Sequence, residues 1–144
     1  MIPKHPAPVP PTPGFSMPGP LTPGPSTQVL LHEVAHARAG DKGNRLNVSV
    51  IAYHPDLWPL LLAQVTADRV HDLFRHRGAT AVMRYELPNL HALNFVIDEV
   101  LEGGVNASLN LDIHGKTNSY RVLGLRVDVP DALIPHLARY RSNP

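Results

Sequence analysis

The sequence predicts an α+β fold (an α/β chain in the broad sense), a two-layer sandwich with helices on one face of a mixed β-sheet. Three observations carry this. Apolar residues alternate with polar ones in several short runs, which is the period of a half-buried strand. Segments with caps and helical spacing separate those runs. Their order, strand, strand, helices, strand, helix, strand, helix, strand, fits helices laid on one sheet. The chain has 144 residues and no internal repeat, which is one domain's worth.

Residues 1–27 form a Pro-rich tail. Ten of the sixteen prolines fall at positions 1–26. Proline removes backbone donors, so this stretch is expected to be extended or disordered. Residues 28–38 fit either of two elements. Ser26 caps a helix with face Leu30, Leu31, Val34 and Ala35, or Val29, Leu31, Ala35 and Ala37 line one side of a strand. The next run favours the strand, because Leu46, Val48, Val50 and Ala52 alternate with Asn47 and Ser49. Two such runs joined by a short glycine-containing loop read as a hairpin. Asp56 is placed to cap a helix whose first turn tolerates Pro59. Thr66 caps a second helix over 67–77, ended by Gly78.

The run 81–87 alternates again and stops at Pro88. Leu90, Leu93, Ile97, Val100 and Leu101 have helical spacing, closed by Gly103 and Gly104. Ala107, Leu109, Leu111 and Ile113 alternate with Ser108, Asn110 and Asp112, a strand pattern. A short helix over 116–123, stopped by Gly124, precedes a last strand through Leu125, Val127 and Val129. The main domain is thus expected over 28–129, with residues 130–144 as an appendage.

Composition excludes whole classes of function. The formal net charge is +1 and no run of five like charges occurs, which argues against nucleic acid as a partner. There is no cysteine, so disulfides and thiolate chemistry are excluded. No run reaches the ~18 apolar residues of a membrane span. Lys4 stands near the N-terminus without the apolar core of a secretory signal. No membrane partner and a cytoplasmic location are expected.

The polar stretch at 32–44 contains two overlapping signals. His32-Glu33-Val34-Ala35-His36 matches the zinc-peptidase pattern, which works when both histidines share one side of a helix. On a strand the two histidines stand roughly 13 Å apart, and one ion cannot take both. The extended pattern also requires glycine at 39 and histidine at 42, where the chain has Ala39 and Lys42. Zinc-peptidase chemistry is therefore disfavoured, and no metal or other cofactor is expected. The second signal is Arg38-Ala39-Gly40-Asp41-Lys42-Gly43-Asn44. Its glycines permit left-handed backbone and close approach of a ligand. Successive amides in such a turn can form an anion nest, and Arg38 and Lys42 add positive charge for a carboxylate or phosphate. Neither Ser49 nor Ser108 lies in a nucleophile elbow.

Three segments together resemble one family. They are Ala37-Arg38-Ala39-Gly40-Asp41-Lys42-Gly43-Asn44; Arg84-Tyr85-Glu86-Leu87-Pro88 running through Leu90-His91-Ala92-Leu93-Asn94-Phe95-Val96; and Gly103-Gly104, Ala107-Ser108-Leu109 and Gly115-Lys116. In order and spacing the chain, over about residues 30–129, resembles the C-terminal ferredoxin-fold-like domain of the acyclic terpene utilisation protein A family. It departs from that pattern at Ala39, Asn110 and His114, where serine, arginine and glutamine are usual.

The resemblance implies a ferredoxin-like sandwich. It also implies an association with bacterial breakdown of acyclic terpenes and related branched acids as coenzyme A thioesters. The large N-terminal module of full-length members, with any catalysis it houses, is expected on another chain. Positions carried over as ligand-binding are Arg38, Gly40, Asp41, Lys42, Gly43, Asn44, Asn94 and Lys116. Two functions are in view. One is a non-catalytic accessory or assembly module, a homo-oligomer or a partner of a larger protein carrying that module, with an anionic small molecule as its ligand. The other is an enzyme or enzyme half acting on a carboxylate or acyl-thioester, with His91 or Glu86 as the proton-transfer group.

Overall fold

The computed structural model describes residues 24–100 and 117–141. The tail up to residue 23, the glycine pair at 103–104, the strand expected at 107–113, and Lys116 lie outside the described residues.

Two antiparallel sheets share one core. Strand β1 (Ser26–Leu30) pairs with β6 (Arg126–Pro130), with Val29 opposite Val127. Strands β2 (Ala35–Lys42), β3 (Arg45–Ala52), β4 (Val82–Leu87) and β5 (Ala92–Ile97) form a second sheet in the order β2-β3-β5-β4. Every pairing among the described residues is antiparallel. Helices α1 (Trp58–Gln64), α2 (Ala67–Phe74) and α3 (Asn118–Leu123) pack against the larger sheet. This is the α+β sandwich that the alternating runs predicted. No described helix is long and apolar enough to cross a membrane.

The core follows from period-2 burial. Leu46, Val48 and Val50 of β3 stand opposite Ile97, Phe95 and Leu93 of β5, and all six are fully buried. Leu61, Val70 and Phe74 close the layer from the helices. Each fully buried side chain of this size stabilises the fold by about 1.5–3 kcal/mol relative to exposure. The second helix starts and stops where its caps predicted. The Thr66 hydroxyl accepts from the Arg69 N–H at 3.2 Å. Gly78, at φ 84, ends the turn that follows α2.

Three expectations are corrected. The helix placed through Leu90–Leu101 is β5 over its described part. Leu90, Leu93 and Ile97 do have helical spacing, but Leu93, Phe95 and Ile97 also alternate, and it is this set that faces the core. Pro88 opens a single 3-10 turn, and His91, at φ 48, terminates it before β5. The second correction is the strand expected from 28 to 38, which breaks into β1 and β2 in different sheets. Leu31 and Val34 are both fully buried. A strand would send residues three apart to opposite faces, whereas the 3-10 turn Leu31–Glu33 aligns them. The third correction concerns Asp56, which is not a cap. The His54 ring accepts from the Asp56 N–H at 3.1 Å, and α1 begins at Trp58 after a 3-10 turn.

Candidate functional site

The larger sheet has an open face as well as a helix-covered one. On β2 the residues alternating with the core-facing Ala35, Ala37 and Ala39 are His36, Arg38, Gly40 and Lys42; on β3 those alternating with the buried ones are Arg45, Asn47, Ser49 and Ile51. Register aligns them in rows across the sheet. Arg38, Ser49, Asn94 and Tyr85 make one row; Gly40, Asn47, Val96 and Met83 make the next. At the centre the Asn94 side-chain oxygen accepts from Asn47 Nδ2 at 2.9 Å and from Ser49 Oγ at 3.1 Å. That bonding orients Asn94 and holds the middle of the open face in one arrangement.

The hairpin end of this face carries the positive charge. The turn between β2 and β3 is only Gly43 and Asn44, because Lys42 pairs with Arg45. Gly43 stands first in the turn at φ 61, a conformation that favours glycine there. The Val100 N–H donates to the Asn44 carbonyl at 3.3 Å, tying the turn to the end of β5. Gly40, Asp41 and Lys42 are paired strand residues, so the nest of loop amides expected at 40–44 is not built.

Arg38 and Lys42 flank Gly40 on the open face. Both are exposed, and neither has an ion-pair partner among the described residues. A Cβ at Gly40 would meet nothing within 4 Å, so the gap between the two cations is open. A depression of about 410 Å³ lies beside it, lined by Gly40, Asp41, Lys42, Arg45, Asn47 and Val96. Lys42 and Arg45 also border a second depression of about 410 Å³ reaching Thr80, Asp98 and Glu99. There Arg45 is ion-paired with Asp98. Asp41, Asp98 and Glu99 balance Arg38, Lys42 and Arg45 in formal charge at this corner, and Arg45 is taken up by Asp98, so the cations left for a ligand are Arg38 and Lys42.

The two proton-transfer candidates are elsewhere. Glu86 points to the helix-covered side of the edge strand, where Arg84 Nη2 donates to its carboxylate at 2.7 Å. The same guanidinium donates through Nη1 to the carbonyls of Leu62 at 2.8 Å and Val65 at 3.1 Å. Arg84 thus satisfies the C-terminal carbonyls of α1, and Glu86 holds Arg84 there. His91 sits at the opposite end of the sheet from the Gly43 turn, its carbonyl accepting from the Ala52 N–H at 3.0 Å. Six strand residues separate the two ends, about 20 Å. The structure therefore brings Arg38, Gly40, Lys42 and Asn94 to one face and leaves Glu86 and His91 off it.

The residues of the zinc-peptidase pattern are also separated. Glu33 is ion-paired with Arg139 at 3.0 Å and accepts from the Arg139 N–H at 3.3 Å. Burial raises the Glu33 carboxyl, but the hydrogen bonds and charge of Arg139 outweigh it and hold the group below the usual carboxylate range. His36 lies on β2 with its ring 5.6 Å from that of Tyr53. Among the described residues one group of metal-ligating side chains does converge, and it is His54, Asp56 and His136. Sequence spacing carries no signal for the set, since His136 lies in the C-terminal segment, far along the chain from His54 and Asp56.

A family model, the AtuA ferredoxin-like domain, matches residues 29–128. No curated protein and no solved structure gives a match. Because that match spans well over half of the chain, and the described residues fold as an α+β sandwich, the chain belongs to the AtuA ferredoxin-like domain family.

Proposed function

We propose that this protein is a non-catalytic accessory or assembly module that holds an anionic small molecule at the hairpin end of its open sheet face. The observation that carries the reading is the pair of unpartnered cations, Arg38 and Lys42, astride the side-chain-free gap at Gly40. A carboxylate or phosphate seated there gains charge-assisted hydrogen bonds from both, the stronger class of such bonds. Asn47 and Asn94 supply neutral polar groups alongside. The ligand class is a carboxylate or acyl-thioester of the branched acids processed in acyclic terpene catabolism.

Binding rather than turnover is favoured because the two proton-transfer candidates, Glu86 and His91, stand off that face. Glu86 is committed to Arg84, and His91 is a sheet-length away. Assembly has its own support. The edge strand β4 exposes Met83, Tyr85 and Leu87, with Leu90 beyond them at 65% exposure. An apolar strip on a strand whose outer edge has no partner among the described residues is the kind of surface that pairs with another chain, either a second copy or the larger protein carrying the N-terminal module.

The reading is tested by titrating the protein with a branched short-chain acyl-coenzyme A in a calorimeter. Saturable binding is expected, weakened roughly tenfold or more in Lys42→Ala and again in Arg38→Ala, as for hydrogen bonds to charged groups. Equal affinity in the double variant, or steady turnover of the thioester by the isolated chain, would overturn it.

A further inference from the structure

The C-terminal segment meets the connection between β3 and α1 through a cluster that the ligand corner does not use. His54 lies in the bend after β3. His136 ends the 3-10 segment Asp131–His136. Their rings stack with centroids 3.7 Å apart and planes 14° from parallel. Asp56 reaches both, with Oδ2 at 3.7 Å from His54 Nδ1 and 3.4 Å from His136 Nε2. One donor atom from each of the three residues lies within 4.8 Å of the other two.

We propose that His54 Nδ1, Asp56 Oδ2 and His136 Nε2 form a binding site for a divalent transition metal of the zinc class, which clasps the C-terminal segment to the body of the domain. The donor set fits that class. Two imidazole nitrogens and one carboxylate suit zinc and its neighbours, whereas magnesium and calcium take oxygen donors. The spacing fits as well. Metal–ligand bonds of ~2.0–2.1 Å at tetrahedral angles set neighbouring donors about 3.3–3.4 Å apart. The two separations from Asp56 Oδ2, 3.4 and 3.7 Å, come within a few tenths of an ångström of that, and the two imidazole nitrogens lie within 4.8 Å of each other, a gap that ring rotation onto the ion closes.

The lone pair on His54 Nδ1 faces Asp56, whose backbone N–H it accepts at 3.1 Å. That leaves the ring proton on Nε2, the arrangement a metal needs. Metal binding replaces this N–H at the same lone pair and draws the two rings out of their parallel stack. Both segments are anchored one residue away from the ligands, by Leu57 at 0% and Leu137 at 1% exposure. The Asp56 side chain is 60% exposed, so an ion enters from solvent and water completes the coordination.

A metal site here has a structural consequence. The same segment is held by Arg139 to Glu33 and by Arg141 stacked over Tyr53, 4.7 Å from its ring centre. Both contacts are exposed on the arginine side and contribute little alone. A metal bond adds a strong, specific fastening to this weak one.

The test uses untagged protein freed of metal with a chelator, titrated with Zn(II) by calorimetry and with Co(II) by visible absorption. Expected are one ion per chain, a visible d–d band of tetrahedral intensity, a Zn(II)-dependent rise in melting temperature, and slower amide exchange at residues 131–141. His54→Ala, His136→Ala and the near-isosteric Asp56→Asn each weaken binding by roughly tenfold or more. His32→Ala leaves it unchanged. Absence of saturable Zn(II) and Co(II) binding in the wild-type chain, or full binding in the His54→Ala/His136→Ala double variant, overturns the proposal.

Discussion

The two faces of the four-stranded sheet are built from alternate residues of the same strands and do opposite work. On the helix-covered face Leu46, Val48, Val50, Leu93, Phe95 and Ile97 are sealed from water. On the open face their immediate neighbours Asn47, Ser49 and Asn94 bond one another, with Arg38 and Lys42 beside them in solvent. The covered face specifies the fold through burial, and the other face, which no described element covers, carries the proposed anion site. Edge strand β4 shows the division within six residues. Arg84, inward, caps α1; Tyr85, outward, stays exposed at 46%.

That contrast predicts a graded set of outcomes. Truncating the covered face has the largest effect. Phe95→Ala removes a fully buried ring opposite Val48 and is expected to cost about 3–5 kcal/mol in denaturant unfolding. Loss of less than about 1 kcal/mol would mean that the two layers do not pack as described. Next comes Arg84→Ala, which leaves the Leu62 and Val65 carbonyls without their donor. A cost of roughly 1–3 kcal/mol is expected. Glu86→Gln should lower stability by less and leave any ligand affinity untouched, because its partner is Arg84.

On the open face the expected effects shift from stability to binding. Asn94→Ala deprives Asn47 and Ser49 of a shared acceptor and is expected to cost about 1 kcal/mol. Lys42→Ala should stay within about 0.5 kcal/mol of wild type, as exposed substitutions do, while losing ligand affinity.

The smallest effect concerns acid. The folded Glu33 carboxyl lies below its unfolded value. Its stabilisation is therefore complete above the ordinary carboxylate range and is lost as pH falls through the lowered folded value. Melting temperature measured against pH should flatten in Glu33→Gln across that acidic window. An unchanged profile would show that the Arg139 pair does not hold the C-terminal segment.

Much of the covered face was legible in the sequence, because burial on one side leaves a period of two. Leu46, Val48 and Val50 read as a strand for that reason, as did Val127 and Val129. Thr66 and Gly78 marked α2 through cap chemistry. Strand β5 was misread because Leu90, Leu93 and Ile97 mimic a helical face, and the alternation Leu93, Phe95, Ile97 is short. The break after β1 is hidden because Val29, Leu31, Ala35 and Ala37 fit a continuous strand, whereas Leu31 and Val34, three apart, are aligned by the 3-10 turn between them. Of the candidate site, Arg38, Gly40 and Lys42 were legible as a polar, glycine-bearing run. Their placement on a strand rather than in a loop depends on the two-residue turn at Gly43 and Asn44, which only register reveals. The convergence of His54 and His136 left no trace in spacing, since tertiary packing alone brings them together.

The central claim, that the hairpin end of the open face holds an anionic ligand, is tested most directly by residue-resolved amide shifts during titration with a branched short-chain acyl-coenzyme A. Saturable shifts are expected, centred on Arg38, Gly40, Lys42, Gly43 and Asn47 and greatly reduced in the folded Lys42→Ala protein. Shifts centred on His91 and Glu86 instead, or a pattern at the hairpin end that Lys42→Ala leaves intact, would contradict it.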